Sequence, residues 1–126
     1  MPHRILVVDD HPAVLLVMRA MLEAQGYEVA SASDGVETLA YLQANTVDLV
    51  LLDIMMPRKD GIQTLRELRA ATATANLPVI LVTAKAEDED ILNGYRVRAD
   101  YYLTKPFTGE QLRYGVRLFL GDGTEP

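Results

Sequence analysis

The sequence has 126 residues, 49% of them hydrophobic, and this size and composition predict one domain with a sizeable aliphatic core. It has no cysteine, which excludes disulfides and cysteine–zinc sites. The formal net charge of −6 argues against direct nucleic-acid binding, and no apolar run approaches the ~20 residues of a membrane span. We therefore expect a soluble, cytoplasmic domain over residues 1–121, with a flexible tail or the start of a linker over 122–126.

Five short runs predict β-strands, and helical patterns lie between them. The runs at 5–8, 49–52 and 79–82 are continuously apolar, as in strands that are covered on both faces. The mixed runs at 28–32 and 101–103 are typical of edge strands. The predicted helices lie at 12–25, 36–44, 62–71, 87–97 and 109–120. Five strand–helix units predict a parallel sheet with right-handed crossovers and helices on both faces.

Residues that favour helix starts, helix ends and turns support these boundaries. Pro12 fits the first turn of the first helix, and Gly26 fits the position just past its end. Asp34 and Gly35 form a turn and cap signal before the second helix, and Thr108 can cap the last one.

Polar side chains stand where the predicted strands end. Asp9 and Asp10 follow the first strand, Asp53 follows the third, Thr83 the fourth and Lys105 the fifth. Because parallel strands end at one edge of a sheet, where open α/β sheets bind ligands, these groups are expected in one cleft. Three carboxylates, a hydroxyl and an ammonium suit a divalent cation beside a phosphoryl group.

Each of these residues also has an ordinary interpretation when it is taken alone. Aspartates at strand ends often cap turns, a buried threonine often satisfies its hydroxyl locally, and most lysines are solvated. The joint pattern favours a site, because three gathered carboxylates would repel one another without a cation among them. Mg²⁺ is the natural choice, with Mn²⁺ as a substitute.

These segments together resemble a bacterial response-regulator receiver domain of the chemotaxis-regulator type. The resemblance covers essentially the whole chain and rests on residues 5–10 (ILVVDD), 52–57 (LDIMMP), 60–61 (DG), 82–84 (VTA) and 100–107 (DYYLTKPF). It implies an α/β fold of the flavodoxin-like kind, with a doubly wound five-stranded parallel sheet in the order 2-1-3-4-5.

The resemblance also implies roles for the site residues. Asp53 would accept a phosphoryl group from a sensor histidine kinase or a phosphotransfer protein. Asp9, Asp10, Asp53 and the backbone carbonyl of Met55 would hold Mg²⁺. Lys105 and Thr83 would bind phosphoryl oxygens, and the site would then position water for self-dephosphorylation. Such a protein is a signalling switch and not an enzyme, and it acts on a downstream protein target or output domain.

The resemblance assigns Tyr102 to the switch. Thr83 would move toward the phosphoryl group, and Tyr102 would turn inward into the space that this leaves. That movement would reshape the surface formed by the fourth predicted helix, the last strand and the last helix, which is also a candidate homodimer surface.

Some residues depart from the family pattern or carry no functional signal. Arg98 stands where a glycine is common, and we expect the turn there to differ locally, because a positive φ would strain an arginine. Lys85 lies two residues after Thr83 and could alter the dephosphorylation rate. No metal role is expected for His11, and a solvated loop is expected at Arg58-Lys59.

Three other functions compete with the switch. A Mg²⁺-dependent phosphohydrolase with an aspartyl nucleophile would carry a second aspartate two residues on, where this chain has Met55. A flavin-binding electron carrier would need a loop rich in glycine and hydroxyls after the first strand, where Asp9 and Asp10 would repel phosphate. A receiver-like scaffold that is never phosphorylated is disfavoured because every expected site residue is present.

Overall fold

The computed structural model describes residues 2–56, 60–83 and 98–121. The strands are β1 (Arg4–Val8), β2 (Glu28–Ala32), β3 (Leu49–Asp53), β4 (Val79–Thr83) and β5 (Tyr101–Thr104). The helices are α1 (Pro12–Glu23), α2 (Gly35–Ala44), α3 (Gly61–Ala70), a 3₁₀ turn (Thr72–Thr74) and the C-terminal helix (Gly109–Leu120). The predicted helix at 87–97, Arg58-Lys59, Lys85 and the tail at 122–126 lie outside the described residues. Within the described ranges, no helix is long and apolar enough to cross a lipid bilayer.

The five strands form one parallel sheet in the order β2-β1-β3-β4-β5, as the resemblance implied. The continuously apolar strands β1, β3 and β4 lie in the middle, and every residue of β3 and β4 is buried. The mixed strands β2 and β5 are the two edges, as predicted.

Alternate strand residues divide the interior into two cores. Ile5, Val7 and Leu51 face a core that α1 and the C-terminal helix cover, with buried Met18 and Leu112 as contributions from these helices. The intervening strand residues face a second core, covered by α2 and α3, whose members include Leu6, Val8, Val50, Leu52, Leu65 and Leu68. Helices therefore cover both faces of the sheet, which explains why the central strands are apolar without alternation.

Side-chain caps begin three of the four α-helices in the described part of the chain. The Asp34 carboxylate accepts a hydrogen bond from the amide of the third residue of α2, and Asp60 does the same for α3. Thr108 forms a reciprocal capping box with Gln111 at the C-terminal helix. Helix α1 ends two residues before its predicted end, because the chain turns toward Gly26, which has a φ of +94°.

Arg98 has a φ of +64°, so the expectation of a locally different turn is wrong. The left-handed conformation costs a non-glycine residue roughly 1–2 kcal/mol. The carbonyl of Arg98 accepts hydrogen bonds from Nε and Nη2 of Arg69, at 3.1 and 2.8 Å, and these bonds hold the turn in place.

Candidate functional site

The strand register brings the predicted polar residues to one edge of the sheet. Val8 pairs with Leu52, so Asp9 and Asp53 occupy equivalent positions at the ends of β1 and β3. Asp53 in turn pairs with Val82, immediately before Thr83. Asp9 and Asp53 are only 1% and 3% exposed, so both carboxylates lie at the base of the cleft and not on an open surface.

Lys105 reaches this edge from the end of β5. Its amide donates to the carbonyl of Thr83 at 2.7 Å, which continues the pairing of β4 and β5, and the peptide bond to Pro106 is cis. Its Nζ donates to Asp9 Oδ2 at 2.6 Å and to Asp53 Oδ2 at 3.3 Å. The ammonium therefore bridges the two buried carboxylates that the sequence placed at different strand ends.

The second oxygen of Asp53 is held by the following turn. Its Oδ1 accepts a hydrogen bond from the amide of Met55 at 3.1 Å. The side chain of Met55 is 69% exposed and contributes no acid at the position where a phosphohydrolase would place one. The backbone of Met55 therefore orients the Asp53 carboxylate.

The two buried carboxylates differ in acidity. Burial tends to raise the pKa of Asp9, but hydrogen bonds from Lys105 and His11 outweigh it, and the pKa of Asp9 is lowered. Burial raises the pKa of Asp53, and the nearby charge of Asp9 adds to this, while the longer contact with Lys105 offsets only part. Burial acts to lower the pKa of Lys105, yet its two carboxylate partners raise it overall, so the ammonium stays charged.

His11 also belongs to the site. Its amide donates to Asp9 Oδ1 at 2.9 Å, and its ring Nδ1 lies 3.0 Å from the same oxygen. Nδ1 is also 3.1 Å from Asp10 Oδ1, and that buried oxygen has no hydrogen-bond partner. The signal for this contact was available in the sequence, where a histidine directly follows the two aspartates.

The residues present fit a divalent cation. Asp9, Asp10, His11 and Asp53 each offer a donor atom, and these four atoms lie within 4.8 Å of one another. Three carboxylates and one ammonium leave a net charge of minus two, which a divalent ion would neutralise. The buried Asp10 oxygen without a hydrogen bond has lone pairs available for such an ion.

The other two predicted residues lie beside this cluster. Thr83 ends β4 and is 2% exposed, one position beyond the residue that pairs with Asp53. Tyr102 pairs with Leu81 in β5 and is partly buried against the core that α2 and α3 cover. Thr83 thus lies at the predicted edge, and Tyr102 lies on the neighbouring strand, opposite a residue two positions before Thr83.

Comparison with known proteins identifies the family. The model of the response regulator receiver domain family matches residues 5–117. The chain belongs to this family. As a receiver domain it is a signalling domain of two-component systems, and this membership leaves the flavin-carrier and phosphohydrolase alternatives without support.

The chain is similar to two solved structures with the same fold and to a curated relative that is about twice as long. Chemotaxis protein CheY4 of Vibrio cholerae has a TM-score of 0.91 and 28% identity, over 94% of this chain and 99% of that one. The receiver domain of sensor histidine kinase PA1611 from Pseudomonas aeruginosa, crystallised with magnesium in its active-site cleft, has a TM-score of 0.88 and 31% identity, over 96% and 99%. The transcriptional regulatory protein RprY of Bacteroides fragilis is 39% identical over 93% of this chain and 49% of its own length.

The chain spans about half the length of the curated relatives it matches. Receiver domains therefore occur here in three settings: with further sequence in transcriptional regulators, within a histidine kinase, and as a chemotaxis protein of similar length.

Proposed function

We propose that this receiver domain accepts a phosphoryl group on Asp53 from a phosphohistidine of a sensor histidine kinase or phosphotransfer protein. The observation that carries the proposal is the bridge from Lys105 Nζ to Asp9 and Asp53, built from the ends of three strands. A carboxylate, a fixed ammonium and two further aspartates at one edge form the arrangement that phosphoryl transfer needs.

The transfer would form one bond to phosphorus and break another. An oxygen of Asp53 attacks phosphorus, the phosphorus–nitrogen bond of phosphohistidine breaks, and the imidazole keeps the electron pair. Lys105 lies 3.3 Å from the acceptor carboxylate and would pair with a phosphoryl oxygen, while the Thr83 hydroxyl would bind another. The ammonium and hydroxyl thus stabilise negative charge where it develops.

Mg²⁺ fits this proposal as the resident ion. Asp9, Asp10, Asp53 and the backbone carbonyl of Met55 would hold it, with Mn²⁺ as a substitute. The bound ion would supply positive charge that screens the carboxylates from an incoming phosphoryl group. The magnesium in the cleft of the PA1611 receiver domain supports this assignment.

The signal would decay in the same site. A water oxygen attacks the phosphorus of the acyl phosphate, the bond to the Asp53 oxygen breaks, and inorganic phosphate leaves. The attacking water would release a proton to solvent, and the same Lys105 and Thr83 would stabilise the negative charge that develops on the phosphoryl oxygens.

The phosphorylated state would be read on the surface around β5. We assign the switch to Thr83 and Tyr102, because they lie on neighbouring strands near the site and Tyr102 is only partly buried. The receiver unit would comprise residues 1–121, with 122–126 as a tail or the start of a linker. Its output would be a downstream protein or an attached domain, in the cytoplasm, with a homodimer through this surface as one form.

Intact-mass measurement after incubation with acetyl phosphate and Mg²⁺ tests the acceptor. Wild type should gain one phosphoryl group, and the adduct should be absent from Asp53→Asn and from a sample with chelator. Asp60→Asn is the matched control, because it removes a nearby carboxylate but keeps a helix cap. An adduct on Asp53→Asn would show that Asp53 is not the acceptor. No adduct on wild type under conditions that label a known receiver would contradict the proposal and favour the scaffold.

NMR with beryllofluoride, a mimic of the phosphoryl group, tests the switch. In wild type the mimic should shift amide resonances near Asp53 and also along β5 and the C-terminal helix. Tyr102→Ala should keep the first set and lose most of the second, whereas Tyr114→Ala, which removes an exposed tyrosine of the C-terminal helix, should keep both. Unchanged distant shifts in Tyr102→Ala would show that Tyr102 is not the switch.

A further inference from the structure

His11 has a position that helix formation does not explain. It precedes α1 as the N-cap residue, yet its side chain makes no cap hydrogen bond, and histidine is not among the favoured N-cap residues. Its ring instead turns toward the carboxylates of Asp9 and Asp10, although the side chain is 66% exposed and has room to point into solvent. The ring therefore belongs to the carboxylate cluster.

The spacing of the three atoms matches a coordination sphere. Adjacent ligands of an octahedral ion at ~2.1 Å stand about 3.0 Å apart. His11 Nδ1 lies 3.0 Å from Asp9 Oδ1 and 3.1 Å from Asp10 Oδ1. An ion that met all three atoms would also satisfy the Asp10 oxygen, which is buried and has no hydrogen bond.

We propose that His11 Nδ1 is a ligand of the divalent ion, and that this ligand strengthens the binding of transition ions such as Co²⁺ and Ni²⁺ relative to Mg²⁺. This inference rests on the proposed metal site and adds a nitrogen to its donors. Imidazole suits transition ions, whereas carboxylate and carbonyl oxygens alone suit Mg²⁺. A mixed set of one nitrogen and several oxygens therefore discriminates between them.

A competing view is that the ring acts as a cation that occupies the place of the metal. In that case its removal would strengthen the binding of every divalent ion to a similar degree. A ligand has the opposite effect, because its removal weakens the binding of transition ions selectively. The two views therefore differ in the sign of the change.

Calorimetric titration of tag-free protein at pH 8 with Mg²⁺, Mn²⁺ and Co²⁺ distinguishes them. We expect His11→Gln to weaken Co²⁺ binding about tenfold or more, and to change Mg²⁺ binding about twofold or less. His3→Gln is the matched control, because His3 and His11 are the two histidines of the sequence and His3 contacts Asp48 instead. It should leave both affinities unchanged.

NMR of the Co²⁺ form gives a direct readout that does not depend on phosphorylation. A paramagnetically shifted, exchangeable imidazole N–H resonance should appear in wild type and His3→Gln and be absent from His11→Gln. Equal changes in the affinities for all ions in His11→Gln, or a shifted resonance that persists in this variant, would overturn the inference. The proposed function would stand as long as wild type binds Mg²⁺. A wild type that binds no divalent ion would overturn both.

Discussion

At the scale of single residues, Asp9 has closer contacts with the positively charged and hydrogen-bond-donating groups of the site than Asp53 has. Its Oδ2 receives the shorter contact from Lys105, 2.6 Å against 3.3 Å to Asp53, and its Oδ1 receives two contacts from His11. Asp53 keeps one amide hydrogen bond and the longer contact. The carboxylate proposed as the nucleophile is thus the less compensated and the more basic of the two, which favours its reaction with phosphorus.

This imbalance predicts that Asp53→Asn stabilises the metal-free protein at neutral pH. The pKa of Asp53 is higher in the folded than in the unfolded protein, where it is near 3.8, mainly because of burial. As the pH rises from the unfolded to the folded pKa of Asp53, this carboxyl group loses its proton in the unfolded protein first. The free energy of unfolding of wild type therefore falls until the folded pKa is passed. Asparagine has no such proton, so Asp53→Asn should be the more stable of the two proteins at pH 7.

Urea denaturation in EDTA from pH 3 to pH 7 measures the effect. The difference between Asp53→Asn and wild type should be near zero below the unfolded pKa and should reach a plateau above the folded one. The lowered pKa of Asp9 contributes stability that is lost in acid, which is opposite in sign to the contribution of Asp53. Because wild type and Asp53→Asn both contain Asp9, its contribution cancels to first order in their difference. A gain in the free energy of unfolding that is the same at every pH would show that the charge of Asp53 is not the source of the gain.

At the scale of elements, the start of α3 is fitted closely against the end of β3. The amide of Gly61 donates to the carbonyl of Ile54 at 2.9 Å. A Cβ at Gly61 would lie 2.4 Å from the carbonyl oxygen of Asp53 and 2.8 Å from the Cα of Ile54, so one backbone segment would have to move. The start of α3 and Asp53, the proposed acceptor, are therefore in direct backbone contact.

Gly61→Ala should therefore lower both stability and phosphorylation. We expect a loss of about 2 kcal/mol or more in the free energy of unfolding, as for other overpacked sites. The rate of labelling by acetyl phosphate should also fall in the protein that remains folded, because the Asp53 backbone is displaced. Thermal unfolding and intact mass measure the two effects.

Asp60→Ala is the matched comparison for this experiment. It removes the cap that Asp60 provides to α3, which should cost about 1 kcal/mol, but it adds no atom near Asp53. Labelling per folded molecule should stay at the wild-type rate. Equal labelling rates in Gly61→Ala and Asp60→Ala would show that the close contact between Gly61 and the Asp53 backbone does not affect phosphorylation.

Local sequence signals predicted the elements well because they depend on neighbouring residues. The aliphatic runs predicted the three buried strands, and the cap signals at Asp34 and Thr108 predicted two helix starts. The end of α1 was placed two residues late, since its pattern continues into Ala24 and Gln25 without a stop. The left-handed turn at Arg98 was missed because a bond from a distant arginine stabilises it.

At the scale of the whole molecule, Arg69 joins elements that are far apart in the chain. Its side chain is 7% exposed and donates to the carbonyls of Thr74, Leu77 and Arg98 and to Asp100 Oδ2. Asp100 Oδ2 also accepts the amide of Val79 at 2.8 Å. These bonds use both terminal nitrogens and Nε, and they fix the segments that enter β4 and β5.

Arg69→Lys should lower the free energy of unfolding by about 3 kcal/mol, the scale expected when a buried charged network is broken. An ammonium cannot reproduce the planar set of donors, so several carbonyls lose their partners. Arg66→Lys, at an exposed position of the same helix, should stay within about 0.5 kcal/mol of wild type. Chemical denaturation measures both variants, and a loss of less than 1 kcal/mol in Arg69→Lys would contradict this account.

The sequence predicted the edge where the site forms but not the partners within it. Convergence of Asp9, Asp53 and Lys105 follows from strand order, which the family resemblance supplies. The division of Lys105 between two carboxylates and the network around Arg69 depend on rotamers and on distances across the fold. No local pattern encodes these quantities.

The bridge from Lys105 to Asp9 spans 96 positions of the chain, and this separation has a consequence during synthesis. The ribosome delivers the acidic strand ends first, and the ammonium that balances them comes from the last strand. A nascent or truncated polypeptide that stops before β5 has the aspartates of the site but not the ammonium that balances them. The proposed phosphorylation of Asp53 would therefore require the completed domain.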